Sequence, residues 1–183
     1  LMKKCIELAQ DLGVRTIQLA GYDVYYEEKS PQTRQRFIKN LRKACDWAEE
    51  AQVVLAIEIM DDPFINSIEK YLAVEKDVDS PYLFVYPDIG NVSAWHNDVY
   101  SEFYLGHHAI TALHLKDTYA VTESSKGQFR DVPFGQGCVK WEEAFDILKQ
   151  TNYNGPFLIE MWSENCETVE ETRAAIQEAQ AFL

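Results

Sequence analysis

Positive charge is scarce in this chain of 183 residues: 17 Lys and Arg stand against 30 Asp and Glu, a formal net charge of −13. A surface that binds phosphate backbones needs clustered cations, so the balance argues against a nucleic-acid partner. Long apolar runs are missing too. None approaches the roughly 20 residues needed to cross a bilayer, so no membrane partner is expected. Cysteine is sparse, and the four present (Cys5, Cys45, Cys138 and Cys166) form no C-x-x-C pair. That argues against a disulfide framework and suits reduced thiols in the cytoplasm. With only 4 histidines and no basic face, a multi-zinc enzyme of abasic-site DNA repair ranks low. The opening LMKKCIELAQDLG has no signal-peptide character; it reads as an amphipathic helix without a visible start.

What remains is a hydrophobic fraction of 46% and a charged fraction of 26%, the composition of a globular chain. Its apolar periodicity alternates between two regular elements. Helical patterns over 2–12, 31–51, 64–77, 98–107, 140–151 and from Thr168 onward alternate with strand patterns at 14–21, 53–59, 82–87, 110–116 and 156–161. Gly13 ends the first helix, Ser30-Pro31 starts the second, and Thr168 with Glu171 forms a capping box for the last. Segment 117–138 reads as a long irregular connection ending in Phe134-Gly135-Gln136-Gly137. Five strands alternating with six helices predict a parallel α/β fold in a single domain, 1–183.

A dinucleotide-binding sheet would carry G-x-G-x-x-G at its first strand–helix turn; the glycines near Gly135 follow a long loop instead. Polar residues repeat at the downstream ends of the strands: Glu58 after VVLAI, Asp88 after YLFVYP, His114 within ITALHL and Glu160 after PFLI. Parallel strands bring such ends to one mouth, as in a (β/α)8 barrel. Three carboxylates and an imidazole there make a hard, oxygen-rich set for a divalent cation, Mg²⁺, Mn²⁺ or Zn²⁺. Each carboxylate taken alone fits a helix cap or loop anchor equally well; the argument rests on the four together. His96, His107 and His108 read as loop and helix-end residues, and Trp47, Tyr71 and Phe103 as packing. A barrel needs eight strands and typically about 250 residues. The sequence supplies five and begins and ends within helical patterns, so the expectation is an incomplete barrel, truncated at both ends.

Six segments carry a family resemblance: GYDVYYEE (21–28), AIEIMDDPFINSI (56–68), YPDIGNVSAW (86–95), HLKDT (114–118), RDVPFGQG (130–137) and GPFLIEMWSE (155–164). Together they resemble the L-ribulose-5-phosphate 3-epimerases, also described as L-xylulose-5-phosphate 3-epimerases, of the xylose-isomerase-like barrel superfamily. The resemblance implies barrel strands four to eight here, with strands one to three absent. It places the metal on Glu58, Asp88, His114 and Glu160. It also implies a cytoplasmic isomerase of carbohydrate metabolism, with a role in L-ascorbate degradation, a sugar phosphate as substrate and room for a homo-oligomer. The implied reaction is epimerisation of a ketopentose phosphate by proton abstraction and return at carbon 3 through a cis-enediolate. Inversion needs a proton carrier on each face of the carbon, for which Glu58 and Glu160 are the natural pair.

The departures fall on substrate contacts. Several ketose epimerases carry a substrate-binding His where this chain has Asn91, and an Arg where it has Ala120. Lys116 either orients a substrate oxygen or forms an ion pair in the mouth. Arg130, with Lys126 and the glycines of 117–138, either cradles a phosphate or belongs to a solvated loop. Tyr22 and Tyr25 either wall the pocket or pack. The alternatives to epimerisation are a sugar isomerase or dehydratase of the same superfamily, or an inactive metal-binding fragment.

Overall fold

The helices start where the sequence provides a side-chain acceptor for their first unpaired amides. Ser30, Ser67, Asp88, Asp98 and Thr168 each accept the backbone N–H three residues on, opening α2 (Pro31–Ala51), α3 (Ile68–Val78), α4 (Ile89–Ala94), α5 (Val99–Gly106) and α7 (Val169–Phe182). Ser30 and Thr33 complete a reciprocal capping box. Glu171 instead turns its carboxylate to the amide of Glu167. Two more helices, α1 (Met2–Leu12) and α6 (Trp141–Gln150), lack a side-chain cap. Gly13 ends α1 in the left-handed region at φ 70°, where the absence of a Cβ removes the steric cost.

The structure is a computed structural model and describes residues 1–162 and 166–183. Ser163 and Glu164, which close the segment 155–164, lie outside the described residues. Strands β1 (Thr16–Ala20), β2 (Val54–Glu58) and β3 (Leu83–Tyr86) pair in parallel and in chain order. Parallel bridges Val85↔Ile110 and Asp88↔His114 continue the array to β4 (Leu113–Leu115). That strand then pairs in parallel with β7 (Phe157–Ile159). The result is an open parallel array of five strands. Among the described residues β1 pairs only with β2, and β7 only with β4.

The core lies between this array and the helices. Leu55, Ile57, Val85 and Leu113 are fully buried, as are Ile68, Tyr71 and Phe103 from the helices that cover them. Each such side chain contributes about 1.5–3 kcal/mol by leaving water. Tyr71 brings a polar atom inside and satisfies it by donating to the Leu83 carbonyl.

Two expectations need correction. Segment 117–138 is not irregular: β5 (Asp117–Tyr119) and β6 (Gln128–Val132) form an antiparallel hairpin over the mouth. Asp117 and Thr118 are buried but polar, and β6 is largely exposed, so neither strand prints an apolar alternation. The helix expected over 64–77 starts at Ile68, because Ser67 holds the cap. The short α4 also escaped the periodicity, since all six of its residues are buried and it has no polar face.

Candidate metal centre

Strand register gathers the polar residues. Cα partners Ala20↔Glu58, Glu58↔Tyr86, Asp88↔His114 and His114↔Leu158 put Glu58, Asp88, His114 and Glu160 on one face, at one end of the array. Each supplies one donor atom to a group lying within 4.8 Å of one another. His114 Nδ1 is the hub, 2.8 Å from Glu58 Oε1, 3.1 Å from Glu160 Oε2 and 3.8 Å from Asp88 Oδ2.

Asp88 caps α4 through Oδ1, which accepts from the Asn91 amide at 2.8 Å. Its other oxygen, Oδ2, is buried and accepts no hydrogen bond, although Lys116 Nζ lies 3.0 Å away, off the bonding direction. Lys116 counters its charge, but a buried carboxylate oxygen that accepts no hydrogen bond is still unusual. It is the atom a cation would satisfy. With two further carboxylates and an imidazole beside it, the set fits Mg²⁺, Mn²⁺ or Zn²⁺.

The electrostatics follow from crowding. Burial drives the Asp88 carboxyl up to about 7, against the opposing pull of Lys116. Burial alone would lower the His114 imidazole, but Glu160 and Glu58 outweigh it and raise the group to about 9. Glu160 is pushed up by burial and pulled further down by His114 and Lys116, ending well below the usual carboxylate range. Lys116 itself is held above its ordinary value because Asp88 and Glu160 outweigh its desolvation. So three carboxylates share two cationic partners supplied by the chain.

The same mouth opens into a cavity of about 350 Å³ that also borders Gln18, Tyr22, Tyr25, Asn91, Arg130 and Trp162. The structure therefore brings Lys116, Asn91 and Arg130 to the site. Lys116 Nζ reaches Glu160 Oε1 at 2.9 Å. Arg130, on β6, stacks 3.9 Å above the Trp162 ring. Asn91 donates through Nδ2 to the Ile59 carbonyl at 2.9 Å, leaving its buried Oδ1 without a partner. His96, His107 and His108 stay outside the cluster.

The glycine-rich segment does something else. The amides of Gly135 and Gly137 donate to Asp117 Oδ2 at 2.9 and 3.0 Å, and that of Val139 to Oδ1 at 3.2 Å. Those donors are spent on an internal carboxylate, so the glycines do not form a phosphate cradle. Two polar roles had no sequence signal: Asp117 as this anchor, and Gln18, which donates to Glu58 Oε2 at 2.6 Å. A glutamine inside a strand matches no motif.

A model of the xylose isomerase-like TIM barrel family matches residues 1–183. The chain belongs to that family. Among curated relatives, the putative L-ribulose-5-phosphate 3-epimerase SgbU of Haemophilus influenzae is 55% identical over 167 residues, 91% of this chain and 58% of its own length. L-ribulose-5-phosphate 3-epimerase UlaE of Escherichia coli O157:H7 is 49% identical over 183 residues, 100% of this chain and 61% of its own. This xylose isomerase-like chain thus spans about three fifths of the length of these relatives.

Solved structures agree on the fold. An L-ribulose 3-epimerase superposes with TM-score 0.79 at 20% identity, over 99% of this chain and 64% of that one. A xylose isomerase-like TIM barrel protein of Mycobacterium smegmatis in complex with magnesium gives 0.68 at 20% identity, over 100% and 67%. No helix among the described residues is long and apolar enough to cross a membrane.

Proposed function

We propose that this chain carries the metal centre of a ketose 3-epimerase acting on a phosphorylated ketopentose of the L-ribulose 5-phosphate and L-xylulose 5-phosphate type. One observation carries the reading: Glu58, Asp88, His114 and Glu160 converge around a buried carboxylate oxygen that has no hydrogen-bond partner. The names of the relatives above support the substrate class.

In this reading Asp88, His114 and the two glutamates hold the cation. When bound, a divalent ion there supplies Lewis-acid polarisation of the carbonyl beside carbon 3, which makes that carbon's proton more acidic. The protein supplies the rest. Glu58 and Glu160 stand on β2 and just after β7, at 2.8 and 3.1 Å from His114. One takes the proton at carbon 3 and the other returns one to the opposite face, which inverts the centre. Lys116 Nζ and Trp162 Nε1, at 2.9 and 3.1 Å from Glu160 Oε1, fix that carboxylate. Asn91 lines the cavity and places a polar amide beside the centre. The anionic end of the substrate lies toward Arg130, whose guanidinium is presented against Trp162.

The test is a titration and an assay. Calorimetric titration with Mn²⁺ should give one site per chain, and Asp88→Ala should remove it. An enzyme that keeps full turnover after exhaustive chelation would refute the centre. A panel of phosphorylated and free ketoses separates the proposed substrate class from isomerases or dehydratases of free sugars.

A further inference from the structure

The two candidate proton carriers are held by different chemistry. Glu160 has a cation and an indole N–H on one oxygen. For Glu58 the corresponding place is taken by a neutral amide: Gln18 Nε2 donates to Oε2 at 2.6 Å, while Oε1 faces His114 Nδ1 at 2.8 Å. The direction of the amide is fixed by its partner, because a carboxylate only accepts.

Backbone geometry makes this contact a product of strand pairing. Register joins Gln18 to Ala56 and Ala20 to Glu58, so Gln18 and Glu58 share a face, one pleat apart. Ala56, between them on that face, leaves the space through which the glutamine side chain reaches along the sheet. The terminal torsion of a glutamate is broad, and its two oxygens are equivalent until something distinguishes them. Gln18 distinguishes them.

We infer that Gln18 is the positioning residue of Glu58: by occupying Oε2 it presents Oε1 to the cation and to the reacting carbon. The inference rests on the metal-centre reading above and extends it to a residue on the neighbouring strand. Partners that orient metal-ligating carboxylates typically contribute about 10–100-fold in metal affinity or activity.

The experiment is a double-mutant cycle on Mn²⁺ affinity, measured by calorimetry on the whole chain. Gln18→Met is near-isosteric but cannot donate, and Gln18→Asn keeps the amide but is one methylene too short. Each should weaken Mn²⁺ binding about 10-fold or more, with the thermal midpoint of the metal-free protein unchanged. In a Glu58→Gln background, Gln18→Met should add less than about twofold, since residues acting as one unit are not additive. Three results would overturn the inference. Unchanged affinity in both single variants removes the positioning role. A full additional loss in the Glu58→Gln background shows that Gln18 acts independently of Glu58. A wild-type chain that binds no Mn²⁺ removes the centre and this inference with it, which the first two results do not.

Discussion

An imidazole within 3.8 Å of three carboxylates is a costly arrangement unless positive charge is present, and this requirement decides what each side chain can do. Lys116 and His114 supply that charge in the chain itself. Replacing Glu58 or Glu160 by Gln removes a proposed proton carrier while keeping its volume. Each variant should therefore retain its fold and lose about 10²–10⁴-fold in turnover, the usual weight of a general acid or base. Near-normal turnover in either variant would rule out the two-carboxylate scheme, and in the unmodified enzyme solvent deuterium should enter carbon 3 of the product. The four acidic and imidazole residues were legible in the sequence because each closes or interrupts an apolar run, and strand ends converge. Gln18 was not. Its meaning depends on which strand lies beside it, and on Ala56 being small.

Among the elements, helices with capping side chains and strands buried on both faces were legible from pattern alone. The hairpin of β5 and β6 was not, because long-range hydrogen bonds rather than apolar alternation define it. Its base is fixed by Asp117, whose carboxylate collects the amides of Gly135, Gly137 and Val139. A Cβ on Gly137 would stand 2.0 Å from Asp117 Oδ1, so the glycine is required for the approach. Asp117→Asn turns one acceptor into a donor aimed at these amides. It should cost about 2–3 kcal/mol in urea denaturation, in the range for hydrogen bonds to a charged group; an unchanged midpoint would show that the loop is held elsewhere.

The connection after β1 has its own anchor. Asp23 accepts from Lys29 and Thr33, both at 2.6 Å, and Lys29 also reaches Asp62 at 2.9 Å. Burial raises the Asp23 carboxyl, but these bonds outweigh it and leave the group below its ordinary value. A lowered folded value means the stabilisation is complete above the unfolded value of about 3.9 and fades as pH falls through the folded one. Asp23→Asn should therefore destabilise the protein by a constant amount near neutrality. The gap from wild type should close below about pH 4 in thermal melts, and a gap that persists into acid would contradict the assignment.

At the scale of the molecule, we propose one partial-barrel domain whose five-strand array is unpaired at both edges. Phe157 and Leu158 of β7 are 45% and 52% exposed, whereas Leu55 and Ile57 of β2 are fully buried. Hydrogen exchange should follow that contrast: amides of β2 and β3 should be the slowest, those of β1 and β7 markedly faster. Uniform protection across all five would mean that the edges are covered in solution. The centre itself straddles both regimes, since Glu58 and Asp88 belong to the protected interior and Glu160 to the open side. Two groups span that divide: Lys116, between Asp88 and Glu160, and His114, between Glu58 and Glu160. Lys116 and His114 already counter the carboxylates in the folded chain, so a divalent ion at the proposed centre would enter by exchange against charges already in place. In small zinc modules, by contrast, ion and fold arrive together. On the metal-centre reading proposed above, removing the ion should abolish activity and leave the polypeptide folded, with activity returning when the ion is restored.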